Sequence, residues 1–203
     1  METVMGLIVG VGLSAACGFR VFVPLLGMSI ANLAGHLTLS PGFEWIGSWP
    51  ALLAFGTATV LEIITFYVPW LDNVMDAAAI PAATVAGTIV TASQVGDMSP
   101  FLKWTLAAIA GGSVSLTIQG GTTAIRALST GTTGGLGNFI ISTLELVAAV
   151  VMTVLAIVVP VLCFVLAVWI CYTMIRKIWQ FLLYRKAAGQ QPSVAGRSGC
   201  PES

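Results

Sequence analysis

Apolar residues run in long blocks, 4–34, 50–69, 77–95, 104–128 and 138–183, separated by short polar stretches. Each block is at least about as long as the ~20 residues a helix needs to cross the hydrocarbon of a bilayer. Residues 138–183 contain no polar turn. A single helix over "FIISTLELVAAVVMTVLAIVVPVLCFVLAVWICYTMI" would reach ~55 Å at ~1.5 Å per residue, beyond a ~30 Å core even with tilt, so two spans folding near Pro160 are expected. The predicted fold is all-α: a polytopic transmembrane helix bundle over residues 1–185, of about six spans, or five if 138–183 form fewer. The polar, small-residue stretch 186–203 reads as a disordered tail.

Six spans place both chain ends on one side. "GHLTLSPGFEWIGSWP" then becomes an external loop with Trp45 and Trp49 at the interface, and "PWLDNVMDAAAIP" and "LSTGTTGGLGN" become internal connections. The first block, interrupted by Pro24, is expected to bend or break within the membrane. Small residues at helical spacing, Gly6 and Gly10 in the first span and Ala107, Gly111 and Ser115 in the fourth, make faces on which helices approach closely. Such faces serve packing within the chain or a homo-oligomer. "GFR" and "TAIR", each followed in the next span by "TVLE" (59–62) or "STLE" (142–145), suggest an alternative organisation as two three-helix inverted repeats, although Glu62 falls late in its span and Glu145 early.

Composition agrees with the blocks. Of 203 residues, 57% are hydrophobic and 8% charged, which a soluble domain does not tolerate. The leader "METVM" has no Lys or Arg, unlike a secretory n-region, and Ser14 in "LSAAC" departs from a lipoprotein cleavage site. Arg176, Lys177, Arg185, Lys186 and Arg197 follow the last span, so the C-terminus is expected in the cytoplasm and the protein in the inner membrane. Cys17, Cys163, Cys171 and Cys200 show no CxxC spacing and the lone His36 has no cysteine beside it, so no metal site, disulfide framework or cofactor is expected. A formal net charge of zero offers nothing to a nucleic acid. No nucleophile and base pair up, and Asp72 and Asp76 lie on one segment rather than on two helices as an intramembrane aspartyl protease needs, so an enzyme is not expected.

A charge at mid-membrane costs ~2.5–3.5 kcal/mol on insertion scales, so each one asks for a partner. Arg20, Glu62, Arg126 and Glu145 lie in or at the ends of spans, and two Arg–Glu pairs neutralise one another. Buried pairs bring little net stability and are more readily explained if something uses them. Arg20 and Arg126 are therefore candidates for holding an anion, with Glu62 and Glu145 for proton coupling. Asp72 and Asp76 in "LDNVMD" share a face if that stretch is helical, and read either as solvated carboxylates or as a proton or cation site. The glycines, Thr132 and Thr133 of "ALSTGTTGGLGN" can form an anion-binding nest, with Asn138 capping the helix that leaves it.

Taken together, "GLSAACGFRVFVPLL", "VPWLDNVMD" and "IRALSTGTTGGLGNFIISTLE" resemble the domain-of-unknown-function 4126 family of small integral membrane proteins, over most of residues 6–165. The resemblance implies a shared fold and places Arg20, Arg126 and Glu145 at motif positions, but implies no activity. In the family pattern a lysine usually stands one turn before the arginine of the third motif and an acid often follows the glutamate; here those positions are Thr122 and Leu146. The function expected from the residues is a small transporter or channel for an anionic solute, with proton coupling through the Arg/Glu pairs. The alternatives are a protein that binds a membrane lipid by its headgroup and a non-transporting scaffold.

Overall fold

The computed structural model describes residues 2–66, 69–96, 98–134 and 136–188. They form the helices α1 (Glu2–Cys17), α2 (Phe22–Leu33), α3 (Trp49–Phe66), α4 (Pro69–Gln94), α5 (Pro100–Leu106), α6 (Ser113–Thr133), α7 (Leu136–Val158) and α8 (Pro160–Ala188). A π turn, Ala107–Gly112, joins α5 to α6 without a break. Five segments are long and apolar enough to cross a bilayer: Trp49–Phe66, Ala77–Gln94, Pro100–Thr132, Gly137–Val158 and Pro160–Gln180. The expected all-α membrane bundle is thus what forms. The last block divides as predicted, because Pro160 opens α8 at a first-turn position where its missing N–H costs nothing.

The first apolar block does not cross. Gly6 packs on Gln94, Gly10 on Thr91, and the Ser14 hydroxyl reaches the Gly87 carbonyl, so α1 descends antiparallel to α4; Gly18, just past α1, packs on Ser115 and Ile118 of α6. Beyond the break Gly27 abuts Thr153 and Asn32 reaches Gly47, so α2 climbs back to the face from which α1 started. There the Ser40 N–H donates to the Ser93 carbonyl (2.8 Å) and the Lys103 ammonium to Ser40 Oγ (2.6 Å), fastening the returning chain to the end of α4 and the start of α5. Helices α1 and α2 are therefore a re-entrant hairpin, and its mouth shares a face with the 34–48 loop. Where about six spans or five were expected, five candidate crossings and a hairpin stand, which sets the start of α1 and the end of α8 on opposite faces. The break falls at Gly18–Val21 rather than at Pro24, because Pro24 occupies the first turn of α2, where its N–H would lack a helical partner anyway. The halves differ, a hairpin and two candidate crossings in one against three candidate crossings in the other.

Small residues place α1 at the centre. Leu13, Ala15, Ala16 and Cys17 are wholly buried. Ser14 Oγ donates to the Gly87 carbonyl and hydrogen-bonds the Thr91 hydroxyl, both at 2.7 Å, in line with Gly10, where an added Cβ would lie 2.9 Å from Thr91 Cα. Gly111 and Ser115 close on the same stretch of α4 from the other side, against Gly87 and Thr91. The small-residue faces thus serve packing within the chain.

Two expected connections prove helical. "PWLDNVMDAAAIP" is the start of α4, with Pro81 inside the helix. Most of "LSTGTTGGLGN" continues α6 to Thr133, where Gly134 at φ 64° ends it with an N–H to the Thr130 carbonyl (3.1 Å). Helix α8 runs past the expected domain limit at 185, and the tail from residue 189 lies outside the described residues.

Two outcomes follow from this topology. In a chain freed of its own cysteines, single cysteines at Thr3 and Gly42 will react with an impermeant maleimide from one side of the membrane and a cysteine at Gly131 from the other; labelling of Thr3 and Gly42 from opposite sides would refute the hairpin. Gly111→Ala, whose methyl would meet Thr91 Oγ1 and the Gly87 carbonyl, is expected to destabilise the fold by about 1–3 kcal/mol, read as a lower melting temperature in detergent.

Candidate functional site

The tip of the hairpin poses a problem of backbone accounting. Helix α2 starts inside the protein with no side-chain cap of its own, and an N–H left bare in a medium without water costs several kcal/mol (about 2–7 by transfer scales). Glu62, near the end of α3, resolves it. The Val21 N–H donates to Glu62 Oε1 (2.8 Å) and the Phe22 N–H to Oε2 (3.1 Å), so one carboxylate caps the helix from a neighbouring span and meets the positive end of its dipole.

A carboxylate in that position needs positive charge nearby. Arg20, immediately before Val21, and Arg126, from the inner face of α6, supply it. Exposure is 1% for Arg20, 2% for Arg126, 4% for Glu145 and 6% for Glu62, so all four charges are withdrawn from solvent and lipid. Arg126 forms a two-pronged pair with Glu145 of α7: Nε donates to Oε1 (3.1 Å) and Nη2 to Oε2. Arg20 Nη2 lies 3.8 Å from the same Oε2 and donates to the Ser142 carbonyl one turn earlier in α7 (3.0 Å). Both guanidinium carbons rest near the Phe66 ring, 4.0 Å from its centroid for Arg20 and 4.2 Å for Arg126.

The four charges read from the sequence thus meet, but not as two simple pairs. Both arginines converge on Glu145, while Glu62 places its two oxygens on backbone. The other candidates stand differently. Thr132 is exposed, within α6, and its hydroxyl donates to the Leu128 carbonyl (3.0 Å), as threonines do inside helices. Asn138 lies within α7 rather than capping it, and its Nδ2 donates to Thr130 Oγ1 (3.0 Å), tying α7 to the end of α6. Asp72 and Asp76 are on helical backbone one turn apart, in the first two turns of α4; their side chains, and that of Thr133, lie outside the described residues.

Phe66, Ser142 and the N–H groups of Val21 and Phe22 were not foreseen from the sequence. Phe66 carried a usable signal, since it follows Glu62 by four residues and so shares its helical face. The carbonyl of Ser142 and the two N–H groups carried none, because backbone roles leave no mark on residue type.

The arrangement is an anion-binding geometry, a helix N-terminus with two guanidinium groups beside it, occupied by the protein's own carboxylates. Removing Glu145 alone takes from two buried cations the carboxylate on which both converge. Glu145→Ala is expected to cost about 3–5 kcal/mol, and Arg126→Met with Glu145→Leu to recover part of that, since the double replacement removes one cation along with the anion while Arg20 still loses Glu145. Melting curves of the three proteins check this; equal losses in the single and double variants would refute it.

The comparisons with known proteins agree with the motifs. The family described as domain of unknown function (DUF4126) matches residues 7–180, which takes in every helix that contributes to the cluster. No curated protein and no solved structure matches the chain. With the match covering most of its length, the chain belongs to the DUF4126 family of membrane-helical proteins.

Proposed function

We propose that this protein is a small membrane transporter or channel for an anionic solute, and not an enzyme, with the Arg20–Arg126–Glu62–Glu145 cluster as the solute's station and a proton as its companion. The observation that carries the reading is the Glu62 carboxylate seated on the first N–H groups of α2. Half-helices that end inside a membrane protein commonly aim their N-termini at anionic groups of a transported solute. Here that place is taken by a side chain that loses its charge on taking up a proton. A neutral Glu62 accepts those N–H bonds more weakly, and Arg20 and Arg126 are then left with surplus positive charge for an incoming anion.

The run of Arg and Lys residues after α8 supports an inner-membrane orientation with the C-terminus in the cytoplasm and the hairpin mouth outside. Arg126 stands seven residues before the end of α6, ~10 Å at the usual rise, so the station lies toward the cytoplasmic side. On the outer side a cleft of ≈ 470 Å³, lined by His36, Ser40, Gln94 and the first turns of α1, opens above the hairpin. The packed segment from Leu13 to Cys17 lies between the two, so passage requires the hairpin to shift. Asp72 and Asp76, at the start of α4, are candidates to relay the proton from the cytoplasmic end.

Proteoliposomes with a trapped pH dye, screened against inorganic anions, carboxylates and phosphorylated metabolites, test the reading. The native chain is expected to acidify the lumen with one class of anion. Arg20→Gln is expected to abolish both fluxes, and Glu62→Gln to pass the anion without the proton. A flat trace for every solute from well-folded native protein would refute transport.

A further inference from the structure

The face at the hairpin mouth carries a second site, unconnected with the charged cluster. A cleft of ≈ 620 Å³ opens between the 41–45 loop and the first turns of α5, walled by Phe43, Trp45, Ile89, Met98 and Trp104, with Lys103 at its edge. The loop side is firm, not a flap. Ile46 is wholly buried, Phe43 nearly so, and Ser40 is bonded to the end of α4 at both its N–H and its hydroxyl. Phe43 and Trp104 pack with ring centroids 5.9 Å apart, which fixes the two walls relative to each other.

Lys103 is the feature that gives the cleft a ligand chemistry. Among the described residues its ammonium hydrogen-bonds Ser40 Oγ alone (2.6 Å) and lies 4.8 Å from the Phe43 ring centroid. An ammonium has three donors, so capacity remains for a further acceptor. The carboxylate of Glu44 lies close enough to favour the charged ammonium but accepts the Gly42 N–H (2.8 Å), and no hydrogen bond joins it to Lys103 among the described residues. On the segments that make this face, 3–6, 34–50, 92–104 and 157–162, Lys103 is the only Lys or Arg. The flank below is apolar and exposed, with Phe101, Leu102 and Trp104 at 78%, 52% and 47%. Together with Trp45 and Trp49 they mark the level at which hydrocarbon meets headgroup.

A lone cation over an aromatic cleft at that depth, continuous with a lipid-facing helix flank, matches the two ends of one kind of molecule. We propose that the cleft seats an anionic phospholipid, its phosphate on the Lys103 ammonium and the upper part of its acyl chains along Trp104, Met98 and Ile89. The lipid would bridge the 41–45 loop and α5, the same elements that Lys103 already ties through Ser40.

Native mass spectrometry of the full chain in detergent, titrated with phosphatidylglycerol or phosphatidylcholine, tests this directly. The native protein is expected to hold one tight copy of phosphatidylglycerol and to bind phosphatidylcholine more weakly. Lys103→Gln should weaken phosphatidylglycerol about fivefold, the worth of one lysine near a lipid surface, while Lys177→Gln, on the opposite face, changes nothing. Because Lys103 also fastens the loop, Trp104→Leu serves as a second variant that leaves that tie in place; it should weaken both lipids alike. Equal binding of the two lipids by the native chain, or phosphatidylglycerol binding unaltered in both variants, overturns the proposal. Neither outcome depends on whether the protein transports anything.

Discussion

A helix that begins inside a membrane protein must find acceptors for its first N–H groups, and the structure is arranged around the one found here. Glu62 places both carboxylate oxygens on Val21 and Phe22, and the hairpin stays in the bundle because of it. The consequence is a buried negative charge, which brings in Arg20 and Arg126. Their combined positive charge in turn calls for Glu145. Phe66 packs against both guanidinium groups and keeps the cluster free of lipid. Each charge is thus explained by the one before it, starting from two backbone donors.

The same constraint explains why the polar groups gather at the hairpin tip. Above it, α1 and α4 lie close enough for Ser14 to reach the Gly87 carbonyl, because Gly6 and Gly10 present no side chains to α4. Tight packing there is satisfied by small residues and hydroxyls. The π turn at Ala107–Gly112 lies in this region too, where Gly111 and Gly112 meet Gly87, Thr84, Thr88 and Thr91. It carries the helix past this contact into α6, from which Arg126 projects inward.

Much of this could be seen in the sequence, for physical reasons that differ from residue to residue. Arg20, Arg126, Glu62 and Glu145 stood out because an ion amid apolar residues has no cheap explanation. The turn at Pro160 could be inferred because a helix through it would outrun the bilayer. The hairpin could not. Residues 4–34 have the length and hydropathy of one crossing, and the reversal at Gly18–Val21 uses no proline, charge run or polar loop to announce itself. Gly131, Thr132 and Thr133 misled in the opposite sense: they have the composition of a loop, yet the Thr132 hydroxyl finds the carbonyl behind it and the helix goes on. Tertiary contact decides such cases, and single-residue preferences do not record it.

The hairpin also bears on how the chain is made. It leaves the ribosome before its partners: Glu62 follows Val21 by 41 residues and the Ser142 carbonyl follows Arg20 by 122. Until those residues are synthesised, the contacts that Glu62 and the Ser142 carbonyl make with Arg20 and the start of α2 cannot form. The hairpin's contacts are thus long-range ones, completed by segments that follow it in the chain by 41 and 122 residues, rather than contacts made within the apolar stretch itself.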